Sequence, residues 1–318
     1  MKIAIVGPGI MPIPPTGWGA VEILIWDQKL ALEKLGHEVK IVNTPHPMEI
    51  IKVVNNFAPD FVHIQYDDFI EVYPYIQYPC AITSHFGYLE QPERWDYYGD
   101  RIVKPFERIK PNVFCLSPGI RDVYRDNIGI PEDRLFVTPN GVNVDQFEFS
   151  EEPAYPDRSI YLAKIDYRKR QFMFQGINSL YYAGNNADQR FNTGTNYLGE
   201  WSKDELYKNL TEYGNLVLLS DGEAHPLVCT EAFSAGLGVV VSEWAAANLD
   251  IRKSFITVIP EDKISYIEYV EKHIVENREY SIAHRDEIRE YARSFDWVNV
   301  IDKHYIPVIE QLVASRNL

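Results

Sequence analysis

Residues 2–42 read KIAIVGPGIMPIPPTGWGAVEILIWDQKLALEKLGHEVKIV. Lys2–Val6 is a short apolar run closed by Gly7, the pattern of a buried strand. Pro12, Pro14 and Pro15 stiffen the loop behind it. Beyond Gly17-Trp18-Gly19, the apolar residues Val21, Leu24, Ile25, Ala31, Leu32 and Leu35 recur at spacings of three, four and seven, with a gap at Gln28. That periodicity predicts a helix, and Gly36 stands where its C-cap belongs. His37–Val42 then reads as a second strand. Strand, loop, helix and strand within about forty residues make a βαβ unit, which implies a parallel sheet.

The alternation continues along the chain. Asp60–Gln65, Cys80–Ser84, Val113–Leu116 and Leu135–Val137 read as further strands, with a helix near Ile120–Asn127. The acidic, proline-bearing segment Ser150–Asp157 reads as a linker. After it come strands at Ser159–Ala163, Leu180–Ala183, Asn196–Leu198, Asn215–Leu219 and Val239–Ser242, and a helix at Leu227–Ser234. Ser202 with Glu205 forms a capping box for another helix. The tail reads as helices over Tyr266–Asn277, Asp286–Arg293 and Val298–Val313. The expected architecture is α/β, with two doubly wound, Rossmann-like domains at 1–152 and 153–296 and a closing helical segment at 297–318. In open parallel sheets ligands bind beyond the carboxyl ends of the strands, so the chemistry is expected in the loops there, across a cleft that the two domains share.

A length of 318 residues agrees with two domains, at roughly 100–200 residues each. The net charge of −15 repels phosphate backbones and anionic lipid, which argues against nucleic acid as a partner. Cys80, Cys115 and Cys229 show no paired spacing that would suggest a disulfide framework or a zinc cluster. No apolar run reaches the ~18 residues of a membrane span, and the N-terminal apolar stretch is too short for a signal peptide. The default expectation is a soluble cytoplasmic protein.

The stretch richest in chemistry is Asn215–Glu243, NLVLLSDGEAHPLVCTEAFSAGLGVVVSE. It sets Glu223 in the loop after a buried strand and Glu231 inside the following helix. The backbone amides near Pro226, Leu227 and Val228 fall at the N-terminus of that helix, where free N–H groups and the helix dipole favour phosphate. A carboxylate at Glu231 suits two ribose hydroxyls, and one at Glu223 suits the hydroxyls of another ring. The same pattern also describes a capped helix with a solvated acid at each end. The cluster Lys164, Arg168, Lys169 and Arg170 is unusual in so acidic a chain, and would neutralise a diphosphate if it were not merely a solvated turn.

Together these segments resemble the retaining glycosyltransferases of family four, which have the GT-B fold. YLAKIDYRKRQ is similar to the strand with two cations that this family places at the diphosphate; here the cations are Lys164 and Lys169. LFVTPNGVNVDQF resembles its interdomain segment, and SFDWVNVIDKHYIPVIEQL its closing helix, which crosses back to the first domain. PPTGWGAVE resembles its glycine-bearing loop, with Gly17, Trp18 and Gly19 beside the donor. ITSHFG puts His85 where the family has a histidine at the donor sugar, and CLSPGIRDVY, with Ser117, matches a further segment. The resemblance implies transfer of a hexose from a nucleoside-diphosphate sugar, a UDP- or GDP-hexose, to an acceptor hydroxyl with retention. His85, Glu223, Lys164 and Lys169 would be catalytic, and no cofactor or metal is expected. The acidic pair Asp67-Asp68 lacks the Asp-x-Asp spacing of metal-dependent sugar transferases and reads as a solvated loop or helix cap.

The departures define the alternative. Ala163-Lys164 replaces the family's Gly-Arg, Arg170 replaces a glycine, and Ala224-His225-Pro226 replaces a glycine-rich turn. Lysine lacks the forked contact of arginine, and Pro226 brings no N–H. A non-catalytic nucleotide-sugar-binding protein of the same fold is therefore the second reading. A dinucleotide oxidoreductase is excluded, because Pro12 stands where the phosphate-binding fingerprint begun at Gly7-Pro8-Gly9 needs glycine.

Overall fold

The computed structural model describes residues 1–16, 19–194 and 196–315; Gly17 and Trp18 lie outside them. The chain forms two compact units, Met1–Gly141 with Trp297–Leu318, and Val142–Asp296.

The first unit holds β1 (Lys2–Val6), β2 (Glu38–Val42), β3 (Phe61–Ile64), β4 (Cys80–Ile82), β5 (Val113–Cys115) and β6 (Leu135–Val137). All are parallel, in the order β2-β1-β3-β4-β5-β6. Its helices include α1 (Ala20–Lys34), α2 (Pro47–Phe57), the single turn α3 (Asp96–Tyr98), α4 (Lys104–Ile109) and α5 (Pro118–Asp126). β1 and β3 are buried from end to end, or nearly so, which is why they read as continuous apolar runs rather than alternating ones. The N-cap of α1 is Gly19, whose φ of 138° lies where a side chain is strained.

The second unit holds β7 (Tyr155–Leu162), β8 (Leu180–Ala183), α6 (Lys203–Asn209), β9 (Tyr213–Leu218), α7 (Leu227–Ser234), β10 (Gly238–Ser242) and β11 (Ile256–Ile259). Helices α8 (Ile267–Ala283) and α9 (Arg285–Ala292) close it. Its five parallel strands run in the order β11-β10-β9-β7-β8. The Ser202–Glu205 capping box forms at the start of α6.

Three differences from the sequence reading have physical causes. The division falls at Gly141/Val142, and the acidic segment read as a linker already carries the first residues of β7, where Tyr155 pairs with Tyr213. Asn196–Leu198 forms only an isolated bridge, Tyr197 to Tyr182, beside β8. The tail is a run of short helices, α10 (Trp297–Val300), a π-helical turn at Ile301–Tyr305 and α11 (Ile306–Ser315), all in the first unit. Gly141 admits this return: a Cβ there would lie 2.4 Å from the indole of Trp297.

Candidate functional site

In each sheet the strand order reverses direction between two neighbours. β1 is flanked by β2 and β3, and β7 by β8 and β9. At such a switch point the loops beyond the carboxyl ends diverge and leave a crevice. In the second unit the loops on either side are 163–170, after β7, and 219–226, after β9. These are the loops that carry Lys164, Lys169 and Glu223.

The two loops are laced together. The Lys169 ammonium donates to the Glu223 carboxylate, and the Arg168 guanidinium stands 3.8 Å from its other oxygen. Arg168 Nη1 also donates to the Gly222 carbonyl at 2.7 Å, and the Asp221 amide donates to the Arg168 carbonyl at 3.0 Å. Beneath them lies the fully buried Tyr161 of β7. Its hydroxyl accepts from the Leu219 amide at 2.8 Å and donates to the Lys169 carbonyl. Burial pushes the Glu223 carboxyl up, but the charges of Lys169 and Arg168 and the hydrogen bonds from Lys169 and Ser220 outweigh it and hold the group below the usual carboxylate range.

Arg170 does not join this cluster. Its φ of 60° is left-handed, a conformation that glycine adopts without strain. Its guanidinium reaches away to Glu261, at 2.9 and 3.2 Å. Lys164 is exposed two residues past β7, and its carbonyl accepts from Gln171 at 3.0 Å.

Pro226 is the N-cap of α7, and no side chain caps that end. Leu227 and Val228 are the first residues of the helix, so the absence of a proline N–H costs nothing within it. One turn further, Glu231 is mostly buried, with Lys203 of α6 at 4.0 Å. Burial raises its carboxyl above the usual range, and Lys203 opposes this. It is therefore paired separately from Glu223, with a cation of α6 rather than of the loop after β7.

In the first unit His85 follows β4, and its Nε2 lies 2.9 Å from Gln65 Oε1 beyond β3. Burial pushes its imidazole down to about 4, so it is neutral near pH 7. Ser117 caps α5, accepting from the Ile120 amide at 3.1 Å. Asp67 is a correction to the reading of a solvated pair: it is buried and accepts from the hydroxyls of Ser84 and Tyr98, while Asp68 pairs with Arg101 at 2.7 Å. Tyr161 and Gln65 were not singled out by the sequence. Their partners lie in other loops, and no local spacing signals them.

Residues 43–146 match the model described as Glycosyltransferase Family 4. No curated protein sequence matches the chain. Sucrose-phosphate synthase from Thermosynechococcus elongatus superposes with a TM-score of 0.76 at 15% identity, over 99% of both chains. AviGT4, a glycosyltransferase involved in Avilamycin A biosynthesis, gives 0.72 at 17% identity, over 99% of this chain and 98% of its own. Anabaena HepE in complex with UDP-glucose gives 0.71 at 14% identity, over 99% of this chain and 100% of its own. The chain therefore has the GT-B fold of glycosyltransferases.

Proposed function

We propose that the chain is a glycosyltransferase that takes a hexose from a nucleoside-diphosphate sugar and delivers it to an acceptor hydroxyl with retention at the anomeric carbon. The observation that carries this reading is the Lys169–Glu223 pair, with Arg168 beside it, at the carboxyl ends of β7 and β9. Without donor, the cations and the acid neutralise each other. A diphosphate draws Lys169 and Arg168 to itself, and Glu223 is then released to accept from sugar hydroxyls. Lys164 adds a cation at the mouth of the same loop, and the open amides at the start of α7 add donors. Glu231 takes the ribose, and His85, on the first unit, accepts from a hydroxyl of the sugar.

In the retaining mechanism implied by family four, the acceptor attacks from the face on which the diphosphate leaves, and the leaving diphosphate takes the acceptor's proton. The work of the protein is then electrostatic. Preplaced cations stabilise the charge that grows on the diphosphate as the glycosidic bond breaks. The complex of HepE with UDP-glucose supports a donor of this chemical class.

The test is thermal shift with UDP, GDP and their hexoses, followed by NMR of slow donor hydrolysis. A ligand specific to the native state raises the melting temperature with concentration. Hexose released in the donor's own anomeric configuration is the expected result. A bound donor that is never cleaved, with or without a range of acceptors, would favour the non-catalytic binding protein. No shift with any nucleotide sugar would overturn the reading.

A further inference from the structure

Three side-chain oxygens of the first unit lie in mutual contact beside His85. Asp67 opens the 3₁₀-helical stretch Asp67–Tyr75 that follows β3. Its Oδ2 meets the Ser84 hydroxyl at 2.5 Å and also the hydroxyl of Tyr98, at the end of α3. The two hydroxyls lie 2.8 Å from each other, and all three side chains are buried. Ser84 Oγ also accepts from the Phe86 amide at 3.2 Å, across His85. The Phe86 ring stacks on that of Tyr98, with centroids 3.8 Å apart and planes 10° from parallel. Both chain neighbours of His85 are therefore tied to this cluster, Ser84 by its hydroxyl and Phe86 by its amide and its ring.

Three contacts need three protons. Each hydroxyl brings one, and an ionised carboxylate brings none. With Asp67 ionised, one of the contacts is left with lone pairs on both sides, inside the core where such a clash is most costly. A neutral acid brings the third proton, and each oxygen then donates once and accepts once around a closed ring. Among the described residues no cation pairs with Asp67. On the elements packed against its segment, Arg101 pairs with Asp68, Lys104 with Asp100 and Arg108 with Glu71, while Glu49, Lys52 and Glu107 are exposed. The other ionisable groups that face Asp67 are Tyr66 and Asp68 beside it in the chain, Tyr98, and Tyr124 of α5, none of which is positive. Burial raises the Asp67 carboxyl above the usual carboxylate range, against the hydrogen bonds from Ser84 and Tyr98, and the charge of Asp68 adds to the rise.

We propose that Asp67 is a positioning residue, held as the neutral acid, which closes a ring of three hydrogen bonds with Ser84 and Tyr98 and so fixes the backbone on both sides of His85. It acts through Ser84 and Phe86 and touches no substrate itself. This deepens the proposed function, and it rests on that reading for the part that His85 plays at the sugar.

The test is ¹³C NMR of the full chain without donor, with aspartate labelled at its side-chain carboxyl and histidine in its ring. The Asp67 signal is the one that Asp67→Asn removes, and the His85 signals are those that His85→Gln removes. At pH 7 the Asp67 carbon is expected at the shift of a neutral acid. Asparagine keeps an acceptor oxygen and supplies donor protons in the same shape, so Asp67→Asn is expected to leave the His85 ring signals as in wild type. Ser84→Ala and Tyr98→Phe each open the ring with Asp67 in place, and Tyr98→Phe keeps the aromatic stack; both are expected to shift the His85 signals. An ionised Asp67 at pH 7, an Asp67→Asn protein that is unfolded or has displaced His85 signals, or His85 signals that neither Ser84→Ala nor Tyr98→Phe moves would each overturn the proposal. Because no donor is present, a protein that fails to cleave nucleotide sugars leaves this result readable on its own.

Discussion

The ammonium of Lys169 rests against the carboxylate of Glu223, 54 positions later in the chain, and both side chains are nearly closed to solvent at 12% and 11% exposure. The pair joins the loops that follow the neighbouring parallel strands β7 and β9. Lys169→Ala is expected to lower turnover by about 10²-fold, the usual effect of removing one preplaced charge stabiliser. It is also expected to raise the pKa of Glu223, since the neighbouring cation is lost while burial remains. Steady-state kinetics on folded variant protein checks the first; a turnover within a factor of two of wild type would make the pair a structural tie only.

Glu231 and Glu223 are expected to separate by ligand. Glu231→Ala weakens binding of free nucleoside diphosphate more than Glu223→Ala does, because the ribose is common to nucleotide and nucleotide sugar. The raised pKa of Glu231 adds a pH signature: affinity falls in mild acid as this carboxyl takes up a proton, earlier than an ordinary glutamate would. Titration calorimetry across pH measures both effects. Equal affinity of wild type and Glu231→Ala would remove the ribose assignment.

Tyr161→Phe deletes one oxygen and strands the Leu219 amide and the Lys169 carbonyl. The expected loss of stability is about 1–3 kcal/mol for each group left unpaired, read from urea unfolding. Activity should fall by more than stability predicts at temperatures where the variant is folded, since the hydroxyl aligns the loops of Lys169 and Glu223. Wild-type kinetics in a destabilised variant would confine Tyr161 to the core.

His63, buried between Tyr305 and Thr83, gives stability a pH dependence. Its folded pKa is depressed to about 3, from an ordinary value of 6.5. Its neutral form therefore stabilises the fold above pH 6.5, and that contribution is lost as pH falls from 6.5 toward 3. The slope for one such group is up to about 1.4 kcal/mol per pH unit. Urea midpoints measured from neutral to pH 4.5 should fall more steeply for wild type than for His63→Leu, whatever the offset between them. Parallel slopes would mean that the ring takes up its proton in the native state.

Transfer is expected to survive EDTA. In the proposed reading, Lys164, Arg168, Lys169 and the amides of α7 would supply the positive charge that a divalent ion would otherwise bring. Asp67 is engaged by Ser84 and Tyr98, and Asp68 by Arg101. Activity lost in EDTA and restored by magnesium or manganese would assign the charge to a metal.

Much of this fold was legible because buried parallel strands write themselves as apolar runs. Lys2–Val6, Leu135–Val137, Leu180–Ala183 and Leu227–Ser234 have the bounds that the sequence suggested. Helix α2 was missed although Pro47 at its first turn and the apolar Ile50 and Val54 mark it. The short helices between Pro92 and Ile109 leave no period long enough to read. The placement of Glu223 in the loop after β9 and of Glu231 inside α7 was legible, because a buried apolar strand and the helix behind it bracket both. Tyr161, Gln65 and the burial of Asp67 were not, since each depends on partners that only the folded sheet brings near. Arg170 holds a left-handed backbone in spite of its side chain, and its guanidinium pairs with Glu261.

The return of Trp297–Tyr305 to the first unit bears on how the chain is made. Residues 142–296 are contiguous, so the second unit has its whole core once its last helix has been translated. The first unit begins earlier and finishes later. Until Trp297 packs on Gly141 and Tyr305 reaches His63, its six strands wait with an open flank and a buried imidazole without its phenol partner. Domains usually complete themselves in order of synthesis. Here the N-terminal one is the last to close, so ribosome stalling or proteolysis just after Asp296 would release a finished second unit attached to an unfinished first.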